Sequence, residues 1–244
     1  MLLLPPLTDG HILRRYKRFL ADIELADGQV VCAHVPNTGS MASCWQPGAP
    51  VQISHSDNPR RKLSWTLERV DMGGGWIGVN TARPNQVMAQ AIASGRIASL
   101  TGYRRLRREV SVEMPGLASG RLDVGLSEGH APDALVEVKN VTLLDGALLR
   151  FPDARSERAR RHLDLLIAAV DSGLRGIMLF ALNRPEGQAL APAWDIDPAY
   201  AERLCAAASA GVEIIALRML HRPEGIDTAE QLPVDLTLPA SAGE

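Results

Sequence analysis

A chain of 244 residues, 46% hydrophobic, can bury a core unaided, as one large or two small domains; with 4% aromatics that core must be mostly aliphatic. The formal net charge of −2 argues against a protein that coats nucleic acid by bulk attraction, so binding of that kind must come from local basic patches. Cys32, Cys44 and Cys205 are odd in number and lack paired metal spacing, which argues against a disulfide framework or a zinc site.

To about residue 82 the chain reads as short strands broken by turns. Asp27-Gly28 separates Ala21–Leu25 from Gln29–Ala33, a hairpin signal, and Gly73-Gly74-Gly75 separates Leu63–Val70 from Trp76–Val79. Evenly spaced short strands in a small unit predict a barrel, and the OB type binds oligonucleotides. Two basic clusters fall here, Arg14-Arg15-Tyr16-Lys17-Arg18 and Arg60-Arg61-Lys62, with Phe19 and Trp65 near them. Cations mixed with rings suit a nucleic-acid backbone, although a solvated surface over core aromatics explains them equally well. The polar, glycine-bearing stretch His34–Met41 is expected to be a loop.

From Thr81 to Met114 the chain bridges into a second unit, with a short helix at Asn85–Ala93. The arginine-rich run Arg104–Arg108 follows, read as a phosphate-binding rim or a solvated helix face. Two apolar runs then carry the chemistry: Arg121-Leu122-Asp123-Val124 and Leu135-Val136-Glu137-Val138-Lys139-Asn140. Alternation on a strand puts Glu137 and Lys139 on one face, interrupting the apolar residues Leu135 and Val141. Two acids beside a lysine suit Mg²⁺-assisted phosphodiester hydrolysis: hard oxygens hold the ion, and the lysine steadies developing charge. A cross-strand charge pair on a wet sheet is the commoner use of Glu-Val-Lys.

Phe151-Pro152-Asp153-Ala154 is expected to open a helix that continues through Ala159, Leu163, Leu166 and Val170 to Gly173, with Arg158, Arg160, Arg161 and His162 in its first half. A strand near Gly176–Leu182, a helix near Pro198–Ala210 and a strand at Val212–Leu220 complete an alternation that implies parallel sheet members. The tail from Pro223 reads as loosely held. No stretch is long enough to span a bilayer, and Met1–Leu4 before Pro5-Pro6 is too short for a signal sequence, so a cytoplasmic protein with no membrane partner is expected.

Several of these stretches recur together in one family. Asn37-Thr38-Gly39-Ser40-Met41, Ser56-Asp57-Asn58-Pro59-Arg60-Arg61-Lys62, Glu137-Val138-Lys139-Asn140-Val141-Thr142-Leu143 and Phe151-Pro152-Asp153-Ala154 resemble, in order, the blocks of the bacterial sugar fermentation stimulation protein A family. The resemblance implies a mixed α/β protein: an OB-like β-barrel over residues 1–82 and a PD-(D/E)xK nuclease-like α/β domain over 83–244. It also implies DNA as partner and a part in regulating sugar (maltose) metabolism, and leaves a homodimer open.

Carried over by position, Asp123 and Glu137 would be the metal-binding acids, Lys139 the lysine, and Glu109 an acid contributed from an earlier helix. Arg15, Lys17, Arg18, Arg60, Arg61 and Lys62 would meet DNA. Two functions stay open: a regulatory DNA-binding protein with a nuclease-like metal site, or an active Mg²⁺-dependent nuclease.

Overall fold

The computed structural model describes residues 1–37 and 39–238; Thr38, within the Asn37–Met41 block, and the last six residues of the tail lie outside the described residues. After β1 (Leu2–Leu3) come β2 (Leu7–Tyr16), β3 (Leu20–Leu25), β4 (Val30–His34), β5 (Pro50–His55), β6 (Trp65–Asp71) and β7 (Trp76–Gly78). β2 to β6 run side by side in the order β4-β3-β2-β5-β6, and a parallel pairing of Ala33 with Trp65 and His34 with Thr66 closes them into a five-stranded barrel. This is the expected OB-like barrel. Alternating residues point inward, so Ile12, Ile23, Val51, Ile53, Leu67 and Val70 are fully buried in its core. The hairpin at Asp27-Gly28 forms as expected.

The rest of the chain is α1 (Arg83–Ala93), a 3₁₀ turn at Ala98–Leu100, β8 (Arg105–Val112), β9 (Gly120–Ser127), β10 (Ala134–Val141), β11 (Leu143–Asp145), β12 (Leu148–Phe151), α2 (Glu157–Asp171), β13 (Arg175–Leu182), β14 (Ala189–Pro192), α3 (Pro198–Ser209), β15 (Glu213–His221) and β16 (Gly225–Leu232). Seven strands form one sheet in the order β1-β16-β15-β13-β10-β9-β8, with β10, β13 and β15 parallel, and β11, β12 and β14 form a small second sheet. α1 covers one face of the large sheet, against Val136, Val138, Ile177 and Leu179. α2 and α3 cover the other, where Leu163, Leu166 and Leu204 meet Leu135, Val141, Met178 and Phe180. No helix among the described residues is long and apolar enough to cross a membrane.

Four expectations need correction. The arginine-rich run is no helix: Arg105 to Val112 is the edge strand β8, whose ladder with β9 outweighs the helical propensity of its arginines. Phe151-Pro152-Asp153-Ala154 does not open α2, because Phe151 is held in β12 opposite Pro192 and the helix starts only after Ser156, whose Oγ accepts from the Ala159 N–H at 3.1 Å. Most of the described tail is no loose end, since β16 adds to β15. The first residues do not belong to the barrel: Leu2 and Leu3 pair with Ile226 and Gly225 in the large sheet.

Buried polar groups join barrel to sheet. Glu68 on β6, only 3% exposed, accepts from the guanidinium of Arg83 at 2.7 and 3.0 Å and from Ser54 and Asn80. Arg69 donates to the carbonyl of Arg222 at 2.7 Å, and Arg184 to that of Thr142 at 2.8 Å and to Ser43 Oγ at 3.1 Å. Gly78 donates its N–H to the Asn183 carbonyl at 2.9 Å, and a Cβ on Gly78 would run into the Asn183 side chain, itself fully buried and bonded to Asn140 and His221. Gly78→Ala is therefore expected to destabilise the protein by about 1–3 kcal/mol, the usual cost of overpacking. A thermal melt checks this; a midpoint unchanged from the parent would mean that the approach is not close.

Candidate metal and nucleic-acid site

β9 and β10 pair only from Ala134–Leu126 to Val136–Val124 and then part. The Asp123 carboxylate takes over the ladder at that point, its Oδ2 accepting from the Val138 N–H at 2.8 Å. Its Oδ1 accepts from the Asn85 amide of α1 at 2.6 Å. On β10 the alternation holds as expected. Leu135 and Val141 enter the core beneath α2, and Glu137 and Lys139, of the same parity, face α2 as well.

Glu137 is 3% exposed and sits among apolar side chains. Its Oε1 accepts from Lys139 Nζ at 2.6 Å and is in close contact with His162 Nδ1 of α2, which itself lies 3.1 Å from Lys139 Nζ. Its Oε2 is sealed from solvent and has no hydrogen-bond partner. Burial works to raise the Glu137 carboxyl, but the His162 hydrogen bond and the Lys139 charge outweigh it and hold the group below its ordinary range. Asp123 goes the other way: burial first, then the negative charge of Glu137, push it up to about 6. The two acids are therefore close enough to repel, and an ion between them would relieve that repulsion. Among the described residues no three His, Cys, Asp or Glu side chains gather as a metal cluster.

Glu109 is not on a helix. It lies on β8 between the pairs Arg108–Val124 and Val110–Leu122, which places it opposite Asp123, in a left-handed conformation with φ +57°. Its half-exposed side chain is bound to Arg121 at 2.9 Å. The group that a helix does contribute is the Asn85 amide. Sequence reasoning missed its role, and nothing in the helical pattern marks an asparagine as a carboxylate partner. It also missed His162, where a signal existed: Ala159, Leu163 and Leu166 define the buried face of α2, and His162 lies on that face rather than among the solvated arginines.

The basic residues of the barrel divide. Arg15 spends its guanidinium on the carbonyls of Asn37, Gly39, Ser40 and Arg18, at 2.9–3.1 Å, so it shapes the Asn37–Met41 loop rather than facing a phosphate. Ser40 N–H of that loop also reaches Asp153 Oδ2 at 3.2 Å, tying barrel to sheet domain. Arg61 donates to Thr66 Oγ1 at 2.6 Å. Lys17 and Arg18, at the left-handed tip of the β2–β3 hairpin, and Arg60 and Lys62 are exposed, with no ion pair among the described residues. The three cysteines are free.

Comparison with known proteins agrees with this two-part architecture. Residues 13–79 match the family model described as the SfsA N-terminal OB domain, and residues 82–225 the model described as the sugar fermentation stimulation protein RE domain. The sugar fermentation stimulation protein homolog of Acidithiobacillus ferrooxidans is 50% identical over 202 residues, covering 82% of this chain and 85% of that one. The homolog of Geobacter sulfurreducens is 47% identical over 204 residues, covering 84% and 85%. The solved structure of Pyrococcus furiosus SfsA in complex with Ca²⁺ is similar over 96% of this chain and 98% of that one, with a TM-score of 0.83 and 26% identity. The chain belongs to the sugar fermentation stimulation protein family.

Proposed function

We propose that this protein binds DNA and hydrolyses its phosphodiester bonds at a Mg²⁺ held by Asp123 and Glu137. The observation that carries this reading is Glu137 Oε2, an anionic oxygen sealed without a partner beside a second carboxylate of raised proton affinity. A buried acceptor left open in an otherwise bonded cluster is unusual and suits a ligand. Paired carboxylate oxygens are the donors that Mg²⁺ and Ca²⁺ prefer, and the Pyrococcus furiosus relative described with Ca²⁺ supports the match. When bound, the ion would polarise the phosphate and lower the pKa of an attacking water. Asn85 and the Val138 N–H fix the Asp123 carboxylate, and His162 fixes Glu137. Lys139, pinned through Glu137, holds its ammonium where charge develops on the phosphate. Lys17, Arg18, Arg60 and Lys62 supply contacts to the DNA backbone.

A second reading is favoured by those exposed cations, which lie on the barrel and not in the metal centre. In it the protein binds DNA without cutting and acts in the regulation of sugar metabolism, as the family's name suggests. Cleavage of single-stranded and duplex DNA with Mg²⁺ or Mn²⁺, against an EDTA control, separates the two. Metal-dependent cutting that is lost in Asp123→Ala is expected, and Lys139→Ala should lose cutting while keeping DNA binding; unchanged cleavage by Lys139→Ala would remove that residue from the mechanism.

Metal affinity should depend on pH through Asp123. Its carboxyl is ionised above about 6 and protonated below, so protons compete with the ion only below that value. Calorimetry should show Ca²⁺ affinity level above pH 7 and falling roughly tenfold per unit below pH 6, and a flat profile down to pH 5 would mean that the Asp123 carboxyl is not raised. On the barrel, Arg60→Ala with Lys62→Ala should weaken DNA binding and reduce the salt slope by about 0.9 for each phosphate no longer neutralised. Binding equal to the parent at every salt concentration would mean that this face does not meet DNA.

A further inference from the structure

Between α2 and the β8–β9 hairpin lies a cavity of about 650 Å³ that the metal centre does not use. Its walls carry Arg158, Arg161, His162 and Leu165 from α2, Arg121 from β9 and Leu117 from the connecting turn. Arg158 and Arg161 are exposed and have no carboxylate partner among the described residues, while Arg121 is shared with Glu109. Leu117, 39% exposed, leaves an apolar surface open beside these cations. A Cβ on Gly120 would run into the Leu165 methyl, so glycine lets the hairpin lie close to α2 without moving that side chain.

The partition between this cavity and the metal centre is one imidazole ring thick. His162 lines the cavity, contacts Glu137 Oε1 through Nδ1, and accepts from Arg158 Nε at 3.5 Å through Nε2. The wall also carries Asp164, whose carboxylate is held by Arg203 at 2.6 Å, so the unpaired cations Arg158 and Arg161 beside the apolar Leu117 fit a nucleotide: the arginines take phosphates and Leu117 takes the face or edge of a base. The volume lies in the range of about 300–1,000 Å³ that bound organic groups fill. A base stacked and paired inside a duplex cannot enter such a recess, whereas an unpaired one can.

We infer that this recess receives an unpaired nucleotide of the strand whose phosphodiester lies at Asp123 and Glu137, so that the protein selects DNA carrying a single-stranded arm. The inference rests on the reading of that site as the place of phosphodiester binding. Fluorescence anisotropy of the full chain in Ca²⁺, with a blunt duplex and the same duplex bearing an oligo-dT arm, tests it. The armed duplex should bind roughly tenfold tighter, the scale of one base stacked on the protein.

In Arg158→Ala/Arg161→Ala that advantage should vanish, with the salt slope on the armed duplex lower by about 0.7 for each phosphate no longer neutralised. Leu117→Glu, in an exposed turn, should cut the preference without touching a cation. Ca²⁺ affinity by calorimetry should stay at the parent value in Leu117→Glu, which touches neither His162 nor the metal-binding acids. Equal affinity of the parent for the two DNAs would overturn the inference, as would an equal loss on both in the arginine variant, which marks a general backbone interaction. Failure of the parent to bind Ca²⁺, with the arm preference intact, would count against the metal site and leave the recess standing.

Discussion

A carboxylate buried in an apolar layer is the constraint around which the second domain is arranged. Glu137 lies on the central strands of the sheet and under α2, where an isolated charge would cost several kcal/mol. Lys139 on the same strand face and His162 on the helix above offset that cost, both through the one oxygen Oε1. The arrangement needs β10 to alternate without a bulge, α2 to present position 162 downward, and β9 to part from β10 so that Asp123 can approach from the side. Each of these is a local consequence of packing, and together they leave Oε2 open.

Much of this is legible in the sequence. The period of two in Leu135–Val141 settles which face Glu137 and Lys139 share, because alternation is a property of the strand itself. The barrel strands are legible because Asp27-Gly28 and Gly73-Gly74-Gly75 mark turns chemically. What local pattern does not reveal depends on tertiary pairing. The Arg104–Arg108 run has the composition of a solvated helix, yet β9 offers it a ladder, and the β-branched Val110 and Val112 follow in the same strand. The family resemblance puts Glu109 on a helix, but it lands opposite Asp123 by strand register rather than by helical reach. Residues after Pro223 look like a tail until β15 supplies an edge to which they add.

The arginines divide along the same line. Arg14, Arg15 and Arg18 look alike in the sequence, but their fates differ with the geometry around each. Arg14 pairs with Asp22, and Arg15 turns inward to bond four carbonyls. Arg18, with Lys17, projects from the hairpin tip. Charge counted along a chain therefore overstates the charge available to a phosphate, and only placement separates structural cations from free ones. Arg158 and Arg161 show the converse: ordinary on a helical wheel, they gain a role only through the wall that the β8–β9 hairpin sets against them.

The seam between barrel and sheet has a consequence for how the molecule comes apart. Glu68 with Arg83, Arg69 with the Arg222 carbonyl, and Arg184 with Ser43 Oγ are polar contacts across this seam, so a hinge that opened it would strand charges on both sides. The cheapest disruption is then loss of both halves at once. Two domains that are separate in their strand topology are thus expected to unfold as one cooperative unit, and a barrel cut free at the seam would leave Glu68 and Arg69 without the partners that Arg83 and the Arg222 carbonyl provide.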